Sequence, residues 1–411
     1  MRRRVHPFAL GAVLVGALVG GSAFAAAAVG KPNGPSVARG PIVIGWAYDG
    51  QGAMSPFDGP ALAAARIRVN QVNASGGVNG RRLRLITCNT QNNTPTRARA
   101  CAQQLLGGGA QIMFTTCDVD FATPVVQASI NRGKLTLAPC IGTDQMGPKR
   151  FGRAKGKLAF SFGNVAQDEG SAMAEYAWRR GWRRAALATD TVIVYFRNVV
   201  QAFEARWRQL GGRIVAEESY QSAPGGGSPN VQNAISRLQR ANAQVIVTST
   251  AGAFGALSPL ITGLRTLGNN TPILNSWAGD GTYWLPTSPR VTNYYFVTFA
   301  SINGDDPNPA VRRLLAQLKR GGVNPPVGSY VTGPTMIESL VTAIRRAKGS
   351  LRGAALATQL ERFKGVQTVS GKVSFSRQLH SVYGRTYRVM RIHNNQLRYI
   401  GAVRAKVVPR I

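Results

Sequence analysis

The chain has 411 residues, of which 50 are Lys or Arg and 17 are Asp or Glu, so its formal net charge is +33. A hydrophobic fraction of 44% excludes a disordered chain, and only four cysteines in this length exclude a small disulfide scaffold. The length suggests two or three domains or one large two-lobed protein, and the charge raises the question of a polyanionic partner.

The first residues have the organisation of a secretory signal peptide. Three arginines at positions 2–4 precede an apolar run over 8–19, and small residues follow it. This order predicts a signal peptide over 1–26 and a linker over 27–40. A membrane anchor is the alternative, because the uncharged stretch is long enough to span a bilayer, but its small residues favour cleavage. We therefore expect an exported protein, periplasmic or extracellular, that is soluble after cleavage.

The four cysteines lie within 53 residues of the predicted mature chain: Cys88, Cys101, Cys117 and Cys140. Disulfides persist in exported proteins, so we expect two of them. The pairing Cys88–Cys101 with Cys117–Cys140 is preferred among the three that four cysteines allow. No two cysteines have the Cys-x-x-Cys spacing and the three histidines are remote from them, so no metal site is expected.

From residue 41 onward, strand and helix patterns alternate. The apolar run 42–48 predicts a buried strand, and Asp58 followed by Pro60 predicts the start of a helix that ends at Gly76. Further strands are predicted at 82–89, 110–117 and 135–140, with helices at 95–106 and 121–131.

A basic, glycine-containing stretch at 147–157 separates this pattern from a second one. A short extended segment at 160–162 begins the second pattern, and Gly211 ends a helix whose apolar stripe includes Trp207. The other helices are predicted at 166–180, 230–240, 252–267, 308–320, 328–347 and 353–363. The other strands are predicted at 185–190, 213–218, 244–250, 272–277, 294–300, 366–376, 387–394 and 397–403.

Alternation with short connections is typical of right-handed βαβ units around a parallel sheet. The sequence therefore predicts an α/β fold with two doubly wound lobes, each built on a parallel central sheet. Ligands of such sheets bind outside the carboxyl ends of the strands. A cleft between the two lobes is the expected binding site.

One segment resembles the opening of a known family. A helix stop, a glycine turn and a strand start follow the pattern Asn-x-x-Gly-Gly-Val-x-Gly-Arg-x-Leu, and the residues that carry it are Asn73, Gly76, Gly77, Val78, Gly80, Arg81 and Leu83. The glycines permit backbone angles that other residues reach only at a cost. Over about residues 41–405, the chain resembles type I periplasmic binding proteins, and most of all the leucine/isoleucine/valine-binding branch that serves ABC importers.

The resemblance implies two lobes joined by a hinge of three crossings. Lobe 1 is expected from 41–158 plus 300–370, and lobe 2 from 159–299 plus 371–411. The implied function is capture of a small solute by lobe closure and its delivery to an ABC permease in the membrane. The resemblance implies no cofactor, and we expect a monomer.

The resemblance also implies which residues contact the ligand. The positions in lobe 1 are Phe57, Asp118, Cys140, Gly142 and Thr143. Asp118 stands where amino-acid binders present a hydroxyl to the ligand carboxylate, and Gly142 stands where they have Thr. The alternative for Asp118 is a structural role as the cap of the helix at 121–131.

The implied contacts in lobe 2 are Tyr195, Ala251, Trp277 and Asp280. Trp277 occupies the position of the acidic residue that receives the ligand ammonium in amino-acid binders. An α-amino acid needs donors for its carboxylate and an acceptor for its ammonium, because an unpaired buried charge costs several kcal/mol. The expected solute is therefore amino-acid-like, or an amine or aromatic compound.

Three other functions compete with this interpretation. The sequence contains no nucleophile elbow, zinc-protease or phosphate-loop motif and no histidine between residues 7 and 379, so we do not expect an enzyme. Residues 362–411 hold 11 basic residues and no acid, but no nucleic-acid module is recognisable, so we expect no nucleic-acid partner. An extracytoplasmic ligand-sensing module of the same fold remains as the alternative to a transport receptor.

Overall fold

The computed structural model describes residues 40–411, so the predicted signal peptide lies outside the described residues, as does all of the predicted linker except Gly40. The first elements in chain order are β1 (Ile42–Tyr48), α1 (Ser55–Ala74), β2 (Leu83–Asn89), α2 (Pro95–Gly107), β3 (Ile112–Phe114), α3 (Val119–Asn131), β4 (Thr136–Ala138), α4 (Pro148–Gly156) and β5 (Ala159–Asn164). Within 40–411, no helix is both long enough and apolar enough to cross a membrane.

The second run of elements is α5 (Ala166–Arg179), β6 (Arg184–Asp190), α6 (Val194–Gln209), β7 (Arg213–Tyr220), α7 (Gln232–Arg240), β8 (Val245–Ser249), α8 (Leu257–Thr266), β9 (Ile273–Asn275) and β10 (Tyr294–Thr298). The last elements are α9 (Pro309–Arg320), α10 (Thr332–Arg346), α11 (Gly353–Glu361), β11 (Val366–Thr368), β12 (Gly371–Val373), β13 (Ser381–Val382), β14 (Tyr387–His393) and β15 (Gln396–Val403). Short 3₁₀ turns lie at Gly252–Phe254, Trp277–Gly279 and Gly328–Val331.

Thirteen of the fifteen strands in residues 40–411 form two large sheets, one in each lobe, and β11 and β12 form a separate antiparallel pair. The first sheet has the order β13-β5-β4-β3-β1-β2, and all its neighbours are parallel. The second has the order β15-β14-β10-β9-β8-β6-β7 and is parallel except for β14 and β15. The predicted α/β fold with parallel central sheets in two lobes is confirmed. The chain passes between the sheets three times: after β5, between β10 and β13, and after β13.

Sheet membership differs from the predicted lobe boundaries at two places. The prediction places 371–411 in the second lobe, but β13 pairs in parallel with β5 of the first sheet. The boundary at 158/159 places β5 in the second lobe, but β5 pairs in parallel with β4 of the first sheet. The reason lies in α4, which forms within the stretch interpreted as a separator. A helix there makes β4-α4-β5 one more βαβ unit of the first sheet. Our division into lobes stays a prediction, with β5 and β13 assigned to the first lobe by their pairing.

Two helix starts also differ from the sequence prediction. α1 begins at Ser55 with a proline in its first turn, so Asp58 lies inside the helix and does not cap it. The predicted helix at 252–267 is divided into the 3₁₀ turn Gly252–Phe254 and α8, because Gly255 takes a left-handed backbone conformation between them. This break leaves Phe254 on a turn at the end of β8.

Candidate functional site

A cavity lies where the carboxyl ends of the two sheets face each other. It is lined by residues that follow strands of both lobes: Met54, Phe57, Cys117, Asp118, Gly142, Ile193, Tyr195, Phe196, Ala251, Phe254, Trp277 and Ala278. Its volume is about 20 Å³, which is room for roughly one water molecule. The lobes are therefore closed on each other, and side chains fill most of the space between them.

The loops of the first lobe are held together by a buried carboxylate and a disulfide. Asp58 Oδ2 accepts a hydrogen bond from the backbone N–H of Asp49 at 2.8 Å, and its Oδ1 accepts one from Cys117 at 3.0 Å. The loops after β3 and β4 are joined by the disulfide Cys117–Cys140, with a Cα–Cα distance of 4.8 Å. The disulfide Cys88–Cys101 also forms, so the preferred pairing is the one in the structure.

Asp118 has two roles in the structure. Its Oδ1 caps α3 by accepting hydrogen bonds from the backbone N–H groups of Asp120 at 2.8 Å and Phe121 at 3.3 Å. The same side chain is 4% exposed and lines the cavity. Burial raises the pKa of Asp118 to about 7. The capping alternative is confirmed, and it places the carboxylate at the cavity wall.

Glu169, at the start of α5, fixes two residues of the second lobe. Its Oε1 accepts a hydrogen bond from the backbone N–H of Trp277 at 2.7 Å, and its Oε2 accepts one from the Tyr195 hydroxyl at 2.8 Å. Burial raises the pKa of Glu169 to about 8. One buried carboxyl therefore positions both aromatic residues at the cavity.

Aromatic rings from the two lobes meet across the cavity. The ring of Trp277 is 5.2 Å from that of Phe57 in an edge-to-face arrangement and 5.9 Å from that of Tyr195. Gly142 makes room for this packing, since a Cβ atom there would lie 2.4 Å from Cε2 of Tyr195. The closed cleft thus depends on aromatic contacts and on one close approach at a glycine.

The comparisons with known proteins agree with this architecture. The sequence profile of a family described as "Periplasmic binding protein" matches residues 41–396. The chain belongs to this family. It is a family of solute-binding proteins, which is also the role that the closed two-lobed cleft supports. None of the curated protein sequences matches the chain at a significant level.

Solved structures share the fold of this periplasmic binding protein. LivJ from Streptococcus pneumoniae, in complex with isoleucine, has a TM-score of 0.74 at 17% identity, over 89% of this chain and 99% of LivJ. LivK from Thermotoga maritima has a TM-score of 0.73 at 16% identity, over 88% of this chain and 98% of LivK. A solute-binding protein from Rhodopseudomonas palustris BisB5 was solved in complex with 3,4-dihydroxybenzoic acid. It has a TM-score of 0.70 at 14% identity, over 90% of this chain and 98% of that protein. The predicted type I periplasmic binding fold is confirmed.

The structure brings six of the nine predicted ligand contacts to the cavity wall: Phe57, Asp118, Gly142, Tyr195, Ala251 and Trp277. The other three lie outside it. Cys140 is held in the disulfide, and the Thr143 hydroxyl donates a hydrogen bond to Asn198 at 3.2 Å. Asp280 accepts one from the backbone N–H of Gly328 at 2.6 Å. A ligand-binding role for any of the nine residues stays a prediction.

Sequence reasoning missed Glu169 and several apolar wall residues. Glu169 was detectable as one of only 17 acids, placed early in a predicted helix that follows a strand. Phe254 was missed because the sequence predicts a continuous helix over 252–267, which gives no sign of a turn at that residue. Met54, Ile193, Phe196 and Ala278 carry no individual signal, because small and apolar residues after a strand are equally typical of ordinary core packing.

The buried carboxyls make stability depend on pH. The pKa of Glu169 is about 8 in the folded protein against an ordinary 4.5, and that of Asp58 is about 8 against 3.8. At pH values between the ordinary pKa and the raised pKa of each group, the folded state binds more protons than the unfolded state. The free energy of unfolding therefore falls as pH rises. We expect the melting temperature to decrease steadily between pH 5 and pH 8. A Glu169→Gln variant should show a shallower decrease, and an equal slope would contradict this origin.

Gly142 provides a direct test of the closed packing. In Gly142→Thr, which restores the residue that the family resemblance implies, the new side chain overlaps the ring of Tyr195. We expect the two lobes to separate, with an increase in the radius of gyration measured by small-angle X-ray scattering. Gly107→Thr is the control, because nothing lies within 4 Å of a Cβ atom at that position. Equal radii for the two variants would show that Gly142 does not govern closure.

Proposed function

We propose that the protein is exported, captures a small solute between its two lobes, and delivers it to an ABC importer in the membrane. The observation that carries this proposal is the cavity itself, whose wall is supplied by loops at the carboxyl ends of both sheets. A site built from two lobes is completed only when they close. Solute binding therefore shifts the equilibrium between open and closed forms toward the closed one.

The chemistry of the wall supports a solute with an apolar or aromatic body. Eleven of its twelve residues carry no charge. Among them, the ring of Trp277 lies within 6 Å of those of Phe57 and Tyr195. Aromatic faces bind apolar and planar groups well. Two relatives in fold were solved with small solutes that have an apolar or aromatic body, isoleucine and 3,4-dihydroxybenzoic acid. The six wall residues predicted from sequence are our proposed contacts.

Export and partner choice rest on separate observations. The predicted signal peptide and the two disulfides both fit an oxidising compartment outside the cytoplasm. We propose a monomer that meets a membrane permease, with no cofactor and no nucleic-acid partner. The net charge of the predicted mature chain, 47 basic against 17 acidic residues, favours attraction to an anionic envelope surface.

The test begins with the protein secreted by its native host. We expect native mass spectrometry to detect a bound small solute, and its removal and re-addition to open and close the lobes in small-angle X-ray scattering. Deletion of the protein should then abolish uptake of that solute. Unchanged uptake together with a lost transcriptional response would favour the sensing module. No solute and no change in radius across a broad solute library would contradict the proposed function.

A further inference from the structure

We propose that the solute is an organic cation, an amine or quaternary ammonium with an aromatic or apolar body, whose charge lies against Asp118. This inference rests on the proposed function and names the class of solute for the same cleft. A cationic solute would distinguish this protein from binders of amino acids and aromatic acids. Those ligands carry a carboxylate, which the carboxylate of Asp118 would repel.

The first observation is the unused oxygen of Asp118. Oδ1 accepts both capping hydrogen bonds, and no residue of the described chain donates one to Oδ2. Arg150, a cation whose charge acts on Asp118, forms its ion pair with Asp120 at 2.8 Å. A carboxylate that is 96% buried and lacks an ion-pair partner is costly to keep charged. A cation bound beside Oδ2 would remove that cost.

The second observation is that the cavity wall offers no group that would bind an anion. Among residues 40–411, no Lys or Arg lines the cavity. The backbone donors at the start of α3, which would otherwise suit an anion, are already bonded to Asp118. A ligand carboxylate placed there would meet a second negative charge and lose those donors. The site therefore disfavours both aromatic acids and zwitterionic amino acids.

The third observation is the set of rings around the cavity. Phe57, Tyr195, Phe254 and Trp277 all line it, so a bound cation would be surrounded by aromatic residues of both lobes. Aromatic faces attract ammonium groups, and enclosure of a cation by several rings is a recurrent way to bind quaternary amines. Opening the cleft separates Phe57 from Trp277, whose rings are 5.2 Å apart in the closed form. The cation would then occupy the space between these rings and Asp118.

The test uses the solute-free mature protein and three probes of matched size: benzyltrimethylammonium, phenylacetate and L-phenylalanine. We expect calorimetry to show binding of the cation at least about 30-fold tighter than of the other two probes. Asp118→Ser keeps a capping hydroxyl and removes the charge, so α3 should still fold. We expect it to weaken cation binding about 10- to 100-fold, the effect of losing one charge-assisted contact.

Glu204→Gln is the matched control, because it removes the same charge from an ion pair with Arg208 on α6, outside the cavity wall. It should leave cation affinity unchanged. Tighter binding of phenylacetate or L-phenylalanine with lobe closure would overturn the inference and leave the proposed function intact. Equal cation affinity in Asp118→Ser would also overturn it. Failure of all probes and of a broad solute library would contradict both.

Discussion

Replacing Trp277 with alanine should weaken solute binding by about 30-fold or more, as truncation of a central buried aromatic residue commonly does. Trp277 is 4% exposed and lies between the two lobes. Its ring contacts Phe57 of the first lobe at 5.2 Å and Phe299 of the second at 5.0 Å, measured between ring centroids. The substitution removes the largest apolar surface of the cavity wall and the edge-to-face contact that joins the lobes.

Trp178→Ala is the matched control for this prediction. Trp178 packs on Trp207 at 5.9 Å and under the guanidinium of Arg183 at 3.6 Å, and it is not part of the cavity wall. Its loss should lower stability but leave solute affinity unchanged. Calorimetry with the co-purified solute decides the comparison. Equal affinities for the Trp277 and Trp178 variants would exclude Trp277 from the site.

The largest single effect on stability is expected at Gly333, in the first turn of α10. A Cβ atom there would lie 1.8 Å from the backbone oxygen of Ala61, so α10 packs directly on the backbone of α1. Alanine normally favours a helix over glycine, but this overlap must be relieved by separating the two helices. We expect Gly333→Ala to lower the free energy of unfolding by about 3 kcal/mol. Urea unfolding measures it.

Gly59→Ala, in α1, is the control for the Gly333 variant. Nothing lies within 4 Å of a Cβ atom at Gly59, so only the helix propensity changes. We expect a gain of roughly 0.5–1 kcal/mol. If both variants changed stability by the same amount, close backbone packing between α1 and α10 could not be the reason for glycine at 333.

The fold was predictable because the alternation of strands and helices is local and strongly periodic. The prediction at 42–48 coincides with β1, and the glycine turn at Gly76 ends α1 near its predicted place. Parallel pairing follows from that alternation, because each helix returns the chain to the same edge of the sheet. The preferred cysteine pairing is confirmed, but it was one of three that the four cysteines allow, and the sequence alone does not decide among them.

The site was only partly predictable, because its geometry depends on contacts between distant residues. The sequence indicates that Gly142, Asp118 and Trp277 depart from the pattern of amino-acid binders. It does not reveal that the ring of Tyr195 occupies the space opened at Gly142. Nor does it reveal that Glu169 holds both Tyr195 and Trp277, since those contacts join residues up to 108 positions apart. The departures at Gly142 and Trp277 are therefore explained only by how these residues pack in the closed cleft.

One prediction from the alternation of strands and helices, that residues 147–157 separate the two patterns, was wrong. Residues 147–157 have the composition of a connecting segment, rich in basic residues and glycine, but they form α4. Two short helical pieces meet there at a kink at Gly152, whose backbone is not helical. The strand that follows thereby joins the first sheet.

The central claim is that the solute binds in the cavity between the lobes, and a crystal structure with the co-purified solute tests it most directly. We predict solute in contact with both lobes, between Phe57 and Trp277 and beside Asp118. Solute found instead in the open groove between α1 and α10, lined by Arg68 and Glu338, would contradict the account.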